Sequence, residues 1–245
     1  TETATARPTG EEQGMGDFLL PFAVMFILFF IITMSAGFML QSVTREKENR
    51  TAELLLTSLS PRELMLGKVI GLGAVALLQM GIWLGGGQFL LVGGAVAVSA
   101  LGGQGLSLSF FLWAIVFFIF GYIVYAAALG ALGALAPNMR EGSQFTFVML
   151  IPLLIPLWLN SVFMNDSNGT VATVLSLFPL TAPTAMVTRL AAGGVPAWQP
   201  FVALAGLIVA AYLFVILAAR FFRADTLLSG ASISWGRVAS ELRGR

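Results

Sequence analysis

Long uncharged, apolar stretches alternate with short charged ones along this chain. No Asp, Glu, Lys or Arg occurs at 18–44, 69–139, 142–165 or 190–219. Each stretch can hold a bilayer-crossing helix of about 20 residues. The 71-residue stretch from 69 to 139 must hold two. The pattern predicts five spanning helices, at about 17–43, 64–98, 108–136, 143–164 and 200–222. The second is expected to break at Gly85-Gly86-Gly87, the third to end at Pro137-Asn138, and the fourth to kink at Pro152 and Pro156. One further uncharged stretch, 167–188, is apolar from 171 to 187 but carries Pro179 and Pro183.

Charge decides whether that stretch spans. With five spans, an outer N-terminus and an inner C-terminus, the cytoplasmic side holds Arg45, Lys47, Arg50, Arg62, Lys68, Arg140, Arg220, Arg223, Arg237, Arg243 and Arg245. The outer side holds Arg7 and Arg189. This is a firm positive-inside asymmetry. A sixth span would carry the last five arginines outside. Residues 171–192 therefore read as a re-entrant or interfacial element on the outer face, a kind of backbone tolerated where protein or water covers it. Thr181 is expected to cap a short helix there, Gly193-Gly194 to end it, and Arg189 to sit at headgroup level, where an arginine is inexpensive.

The fold class is thus all-α: a polytopic membrane helical bundle of five transmembrane helices plus an outer-face re-entrant helical segment. The expected location is the cell's inner (cytoplasmic) membrane. Residues 1–16 read as an extracytoplasmic polar tail or linker, 17–223 as the transmembrane domain, and 224–245 as a cytoplasmic basic tail. Residues 1–16 show no cleavable signal peptide. The chain opens on Thr1 and reads as processed, truncated or part of something longer.

Composition agrees with the membrane. Charged residues are 10% of the chain, against roughly 25% in soluble domains. There is no Cys and no His, which removes thiol chemistry, His or Cys metal sites and His-based acid–base catalysis. No charged residue is expected at mid-membrane depth, so carriers driven by an internal carboxylate and intramembrane hydrolases are disfavoured. No G-x-x-x-x-G-K-[ST] run occurs. No catalytic residue, cofactor or metal site is expected in this chain, and no nucleic-acid partner. Energy for any active transport must come from another polypeptide. Gly67, Gly71, Gly81 and Gly85 on the second helix, and Ala126, Gly130 and Ala134 on the third, form small-residue strips that suit close helix packing within the chain.

Residues 45–68 hold nine of the 25 charged residues. They read as two short helices. Thr51 opens a turn through Glu53, Leu54, Leu55 and Leu56. Ser60-Pro61-Arg62-Glu63 is a capping box with proline at the first helical position. The leucines suit the membrane surface, with Arg45, Lys47 and Arg50 turned to lipid phosphates or a soluble partner. A loop that only sets topology is the plainer reading, but the capped two-helix pattern is more than orientation requires.

The run E-K-E-N-R-T-A-E-L-L-L-T-S-L-S-P-R-E-L-M-L-G-K at 46–68 resembles the cytoplasmic signature of ABC-2 type permeases, in particular their NatB-like branch. Three blocks follow in the order of that branch: G-Y-I-V-Y-A-A-A-L-G-A-L-G-A-L at 121–135, F-P-L-T-A-P-T-A-M-V-T-R-L at 178–190, and R-F-F-R-A-D-T-L-L-S-G at 220–230. The resemblance implies a permease subunit of an ATP-driven exporter. Its 45–63 loop would dock on an ATP-binding subunit through Arg45, Glu46, Glu48, Arg50, Glu53, Leu54, Leu55, Ser60, Pro61 and Glu63. Phe178, Pro179, Pro183 and Arg189 would belong to an outer gate. The first and fourth spans would border a path shared with a second permease chain, the same or different, among membrane lipids. Family members usually begin with a further helix and an extracytoplasmic domain, which this chain lacks. A partner chain supplies them, the precursor was cut, or the fold serves instead as an accessory or scaffold subunit without transport of its own.

Overall fold

The computed structural model describes residues 15–93, 108–136 and 138–221. They form α1 (Met15–Glu48), α2 (Thr51–Leu55), α3 (Pro61–Gly93), α4 (Leu108–Leu135), α5 (Met139–Trp158), α6 (Asn160–Asn165), α7 (Thr170–Leu177), α8 (Ala182–Ala192) and α9 (Trp198–Phe221). There is no strand among the described residues. Five of these helices, α1, α3, α4, α5 and α9, are long and apolar enough to cross a membrane. The expected termini 1–14 and 222–245, and residues 94–98 of the second span, lie outside the described residues.

Helix α4 is the centre. It packs on α1 along one side and on α9 along another, with α3, α5 and α8 completing its surround. Phe117, Phe118, Tyr125, Ala126 and Leu129 are fully enclosed. Lipid tails are as apolar as leucine, so this helix is held by close packing rather than by escape from water. Its small residues set that approach. Ala126, Gly130 and Ala134 are all buried, and a β-carbon on Gly133 would lie 3.0 Å from the Leu40 carbonyl oxygen of α1. The strip on α3 behaves otherwise. Gly67, Gly71 and Gly81 face open space, so the intra-chain packing expected of them is not made. Ile70, Leu78 and Ile82 are exposed on the same helix, which lies at the edge of the bundle.

Three element boundaries differ from the sequence-based expectation. Helix α1 continues through the charges to Glu48, because Arg, Glu and Lys are good helix formers and Arg45 and Lys47 suit the negative end of the helix dipole. At about 1.5 Å per residue, a helix of 34 residues outruns the hydrocarbon core and carries these charges beyond it. Helix α3 runs through Gly85-Gly86-Gly87 without interruption. Glycine weakens a helix by only about 1 kcal/mol per residue, and the bilayer offers the backbone no other partner. Helix α5 starts at Met139, earlier than expected. Asn138 caps it, its side-chain oxygen accepting from the Glu141 N–H at 3.0 Å. It passes Pro152 and Pro156 and ends at Trp158, where α6 begins after one residue.

Candidate functional site

Two polar constructions stand at opposite ends of the bundle. The first gathers where α1, α2 and α3 meet. Arg50 leaves α1 in the left-handed region, at φ 57°, which turns the chain sharply into α2. Glycine usually takes that place, since a side chain there is strained. The turn into α3 is the capping box that the residue order predicts. The Ser60 N–H and hydroxyl both donate to Glu63 Oε2 at 2.8 Å, and the Glu63 N–H donates back to Ser60 Oγ at 3.3 Å. Pro61 is the first residue of α3.

Several charges of this run are engaged within the chain. Lys68 Nζ lies 2.6 Å from Glu46 Oε1 and donates to Ser42 Oγ at 2.7 Å, tying α3 to α1. Lys47 Nζ donates to the carbonyls of Ala134 and Ala136 at 2.8 and 3.2 Å, satisfying the C-terminal end of α4. Glu48 Oε1 accepts the Met139 N–H at 2.8 Å, satisfying the start of α5. The last turn of α1 therefore holds together the α4–α5 connection. Spacing along the sequence gave no hint of this, because the partners are about ninety residues away. The Asn138–Glu141 cap, by contrast, has a readable local signature.

What remains outward is a smaller set. Arg45, Arg50 and Leu54 are exposed, Leu54 at 73%, while Leu55 is half-buried. The side chains of Glu53 and Pro61 lie outside the described residues. The structure thus sorts seven of the ten residues expected to couple. Glu46, Glu48, Ser60 and Glu63 shape the element, and Arg45, Arg50 and Leu54 form its free face.

The second construction is the α7–α8 hairpin. Asn168 Nδ2 donates to the Gly194 carbonyl at 3.0 Å, so the segment returns to where it began. Its apex reaches deep. The Tyr125 hydroxyl donates to the Leu180 carbonyl at 2.7 Å, and Pro183 packs against Gly121. Both Gly121 and Tyr125 lie near the middle of α4, so the element is re-entrant and not merely interfacial. Protein covers the apex backbone, as mid-membrane irregular backbone requires. Glu48 places the start of α5 at the charged end; α5 then crosses, and the hairpin opens at the other end.

Within the hairpin, Thr181 precedes α8 but does not cap it. Its hydroxyl donates to the carbonyls of Leu175 and Phe178 and so locks the apex. Pro183 sits in the first turn of α8, and Gly193 and Gly194 end it at φ 82° and 75°. Phe178 is exposed and Pro179 half-buried. Arg189 lies at the mouth of the hairpin, beside the exposed Asn168. It is fully buried, its guanidinium donating to the Ser167 carbonyl, to Ser176 Oγ, and to Asn168 Oδ1 at 2.9 Å. The chain returning on itself supplies three neutral acceptors, which replace water for the cation. Among the described residues no group of three or more acidic side chains is arranged to hold a metal.

A family model described as ABC-2 family transporter protein matches residues 1–220. The uncharacterized protein MJ1024 of Methanocaldococcus jannaschii is 33% identical over 220 residues, covering 90% of this chain and 53% of that protein. The uncharacterized protein YhaP of Bacillus subtilis is 25% identical over 230 residues, covering 91% and 55%. The chain thus spans about half the length of the curated relatives it matches. No solved structure matches it. The chain belongs to the ABC-2 family of transporter membrane proteins, and it is a multi-pass helical membrane protein.

Proposed function

We propose that this ABC-2 family member is the membrane permease part of an ATP-driven exporter, and that it couples to a separate ATP-binding subunit through residues 45–63. The observation that carries this reading is the free face of the α1–α2 turn. Arg50 and Leu54 stand exposed beyond the charged end of α1, on an element whose geometry is held by the Ser60–Glu63 box. A loop that only oriented the chain needs neither the box nor an exposed leucine. In this reading Arg50 and Glu53 make the polar contacts and Leu54 seats the helix.

The chain is not itself an enzyme; ATP hydrolysis belongs to the partner. The N-terminus lies outside and the C-terminus in the cytoplasm, in the inner membrane, as the arginine and lysine count favours. The α7–α8 hairpin then opens to the outside, where Phe178, Pro179, Pro183 and Arg189 form a gate at the exit. A second permease chain completes the path. The quoted sequence blocks support the NatB-like branch.

The test is the double variant R50A/E53A, co-expressed with the ATP-binding subunit. Losing one charge-assisted hydrogen bond costs about 1.5–3 kcal/mol, so co-purification should weaken roughly tenfold or more and ATPase activity should uncouple from transport. Unchanged assembly and transport would reject the coupling role.

A further inference from the structure

An open cleft of about 350 Å³ lies in the crook between α1 and α2, lined by Phe38, Gln41, Ser42, Arg45, Glu46 and Asn49 of α1 and by Thr51 of α2. Its size is at the lower end of small-ligand sites. Met34, Phe38, Gln41 and Arg45 are exposed and follow one another at helical spacing, so they form one stripe. Along it the chemistry changes from thioether and ring, through amide, to guanidinium. Arg45 is the first charge after the uncharged stretch 18–44. Seven residues of helix separate it from Phe38, about 10 Å. Over a similar depth a bilayer changes from acyl chain to headgroup.

The balance of charge in the cleft is positive. The Glu46 carboxylate lines it, but Lys68 neutralises that carboxylate at 2.6 Å. Glu48, on the next turn of α1, is bonded to the Met139 N–H of α5 and does not line the cleft. Among the described residues Arg45 is left as its uncompensated charge. A guanidinium fork matches the oxygens of a phosphate, and the Gln41 and Asn49 amides and the Thr51 hydroxyl add neutral donors around it.

We propose that this cleft binds the headgroup of an anionic phospholipid from the surrounding bilayer. Arg45 engages the phosphate and an acyl chain lies along Phe38 and Met34. A water-soluble subunit could meet Arg45 but could not follow the stripe down to Met34, which is why lipid is the occupant. The cleft shares residues 45–51 with the segment proposed to couple but lies beside the contacts assigned to Arg50, Glu53 and Leu54, and lipid binding is read on the chain alone, so it stands whether or not an ATP-binding subunit docks there.

The test is native mass spectrometry of the full chain, delipidated in mild detergent and titrated with phosphatidylglycerol or phosphatidylcholine. One phosphatidylglycerol should bind about fivefold more tightly than phosphatidylcholine, the preference one basic residue gives near an anionic headgroup. R45Q should abolish the preference and R45K should keep most of it. R140Q, which removes an exposed arginine at the start of α5, should leave it intact. Equal binding of the two lipids, an unchanged preference in R45Q, or an equal loss in R140Q would overturn the proposal. So would displacement of the lipid by an equal concentration of inorganic phosphate, which would mark a site for free anions, or a cross-link from a Cys at Gln41 to a second copy.

Discussion

Asn168 donates one hydrogen bond to the Gly194 carbonyl, 26 residues on, and its side-chain oxygen accepts another from Arg189. One exposed asparagine thereby joins both arms of the hairpin at its mouth, with the buried arginine just inside. The apex, meanwhile, is pinned to the middle of α4 by Tyr125. The segment is fastened at its mouth and at its tip.

Replacing Arg189 should therefore loosen the mouth first. R189M leaves the Ser167 carbonyl, Ser176 Oγ and Asn168 Oδ1 without their donor, and the buried Ser176 Oγ carries the main cost, about 1–3 kcal/mol for a buried group left unsatisfied. N168A should cost less, since that side chain is exposed and water can replace it. Spin labels at Val171 and Ala192, both exposed, should show a broadened distance distribution in R189M and a nearly native one in N168A. R189K should resemble R189M, because an ammonium cannot span the three acceptors.

The contact between α4 and the hairpin tip predicts a steric result. A β-carbon on Gly121 would lie 2.7 Å from Pro183 Cγ, and a proline ring cannot swing aside. G121A should cost about 1–3 kcal/mol by overpacking. Adding P183A should recover part of that loss. Thermal unfolding of the four proteins in detergent gives the double-mutant cycle, and additive effects would show that the two positions do not meet.

Lys47 should matter for stability more than for docking. K47M removes the donations to the Ala134 and Ala136 carbonyls, leaving the end of α4 unsatisfied. A loss of about 1–3 kcal/mol is expected. Hydrogen exchange should quicken at 132–142 more than at 51–60. The reverse order would assign Lys47 to the α2 turn.

Topology is testable by labelling in intact cells. A Cys at Ala197, exposed just before α9, should react with an impermeant reagent from outside. Cys at Ser58 or Ser240 should react only after permeabilisation. Outside labelling at Ser240 would overturn both the cytoplasmic C-terminus and the outward hairpin.

The sequence by itself determined the number of spanning helices, the return of residues 171–192 and the Ser60–Glu63 cap. These depend on length, on charge and on neighbours within four residues, all of which a linear chain displays. Tertiary structure alone decided where the charges went. Lys47 and Glu48 look like loop charges until α4 and α5 bring the backbone groups of Ala134, Ala136 and Met139 beside them. Arg189 reads by sequence as an arginine open to the headgroups, yet the chain folding back on Ser167 and Asn168 supplies acceptors that make its burial in protein tolerable. The small-residue strips on α3 and α4 look alike in the sequence, and only packing separates the buried one from the exposed one. The physical reason is common to all three. A polar or small side chain is worth what lies opposite it, and what lies opposite is set by distant parts of the chain.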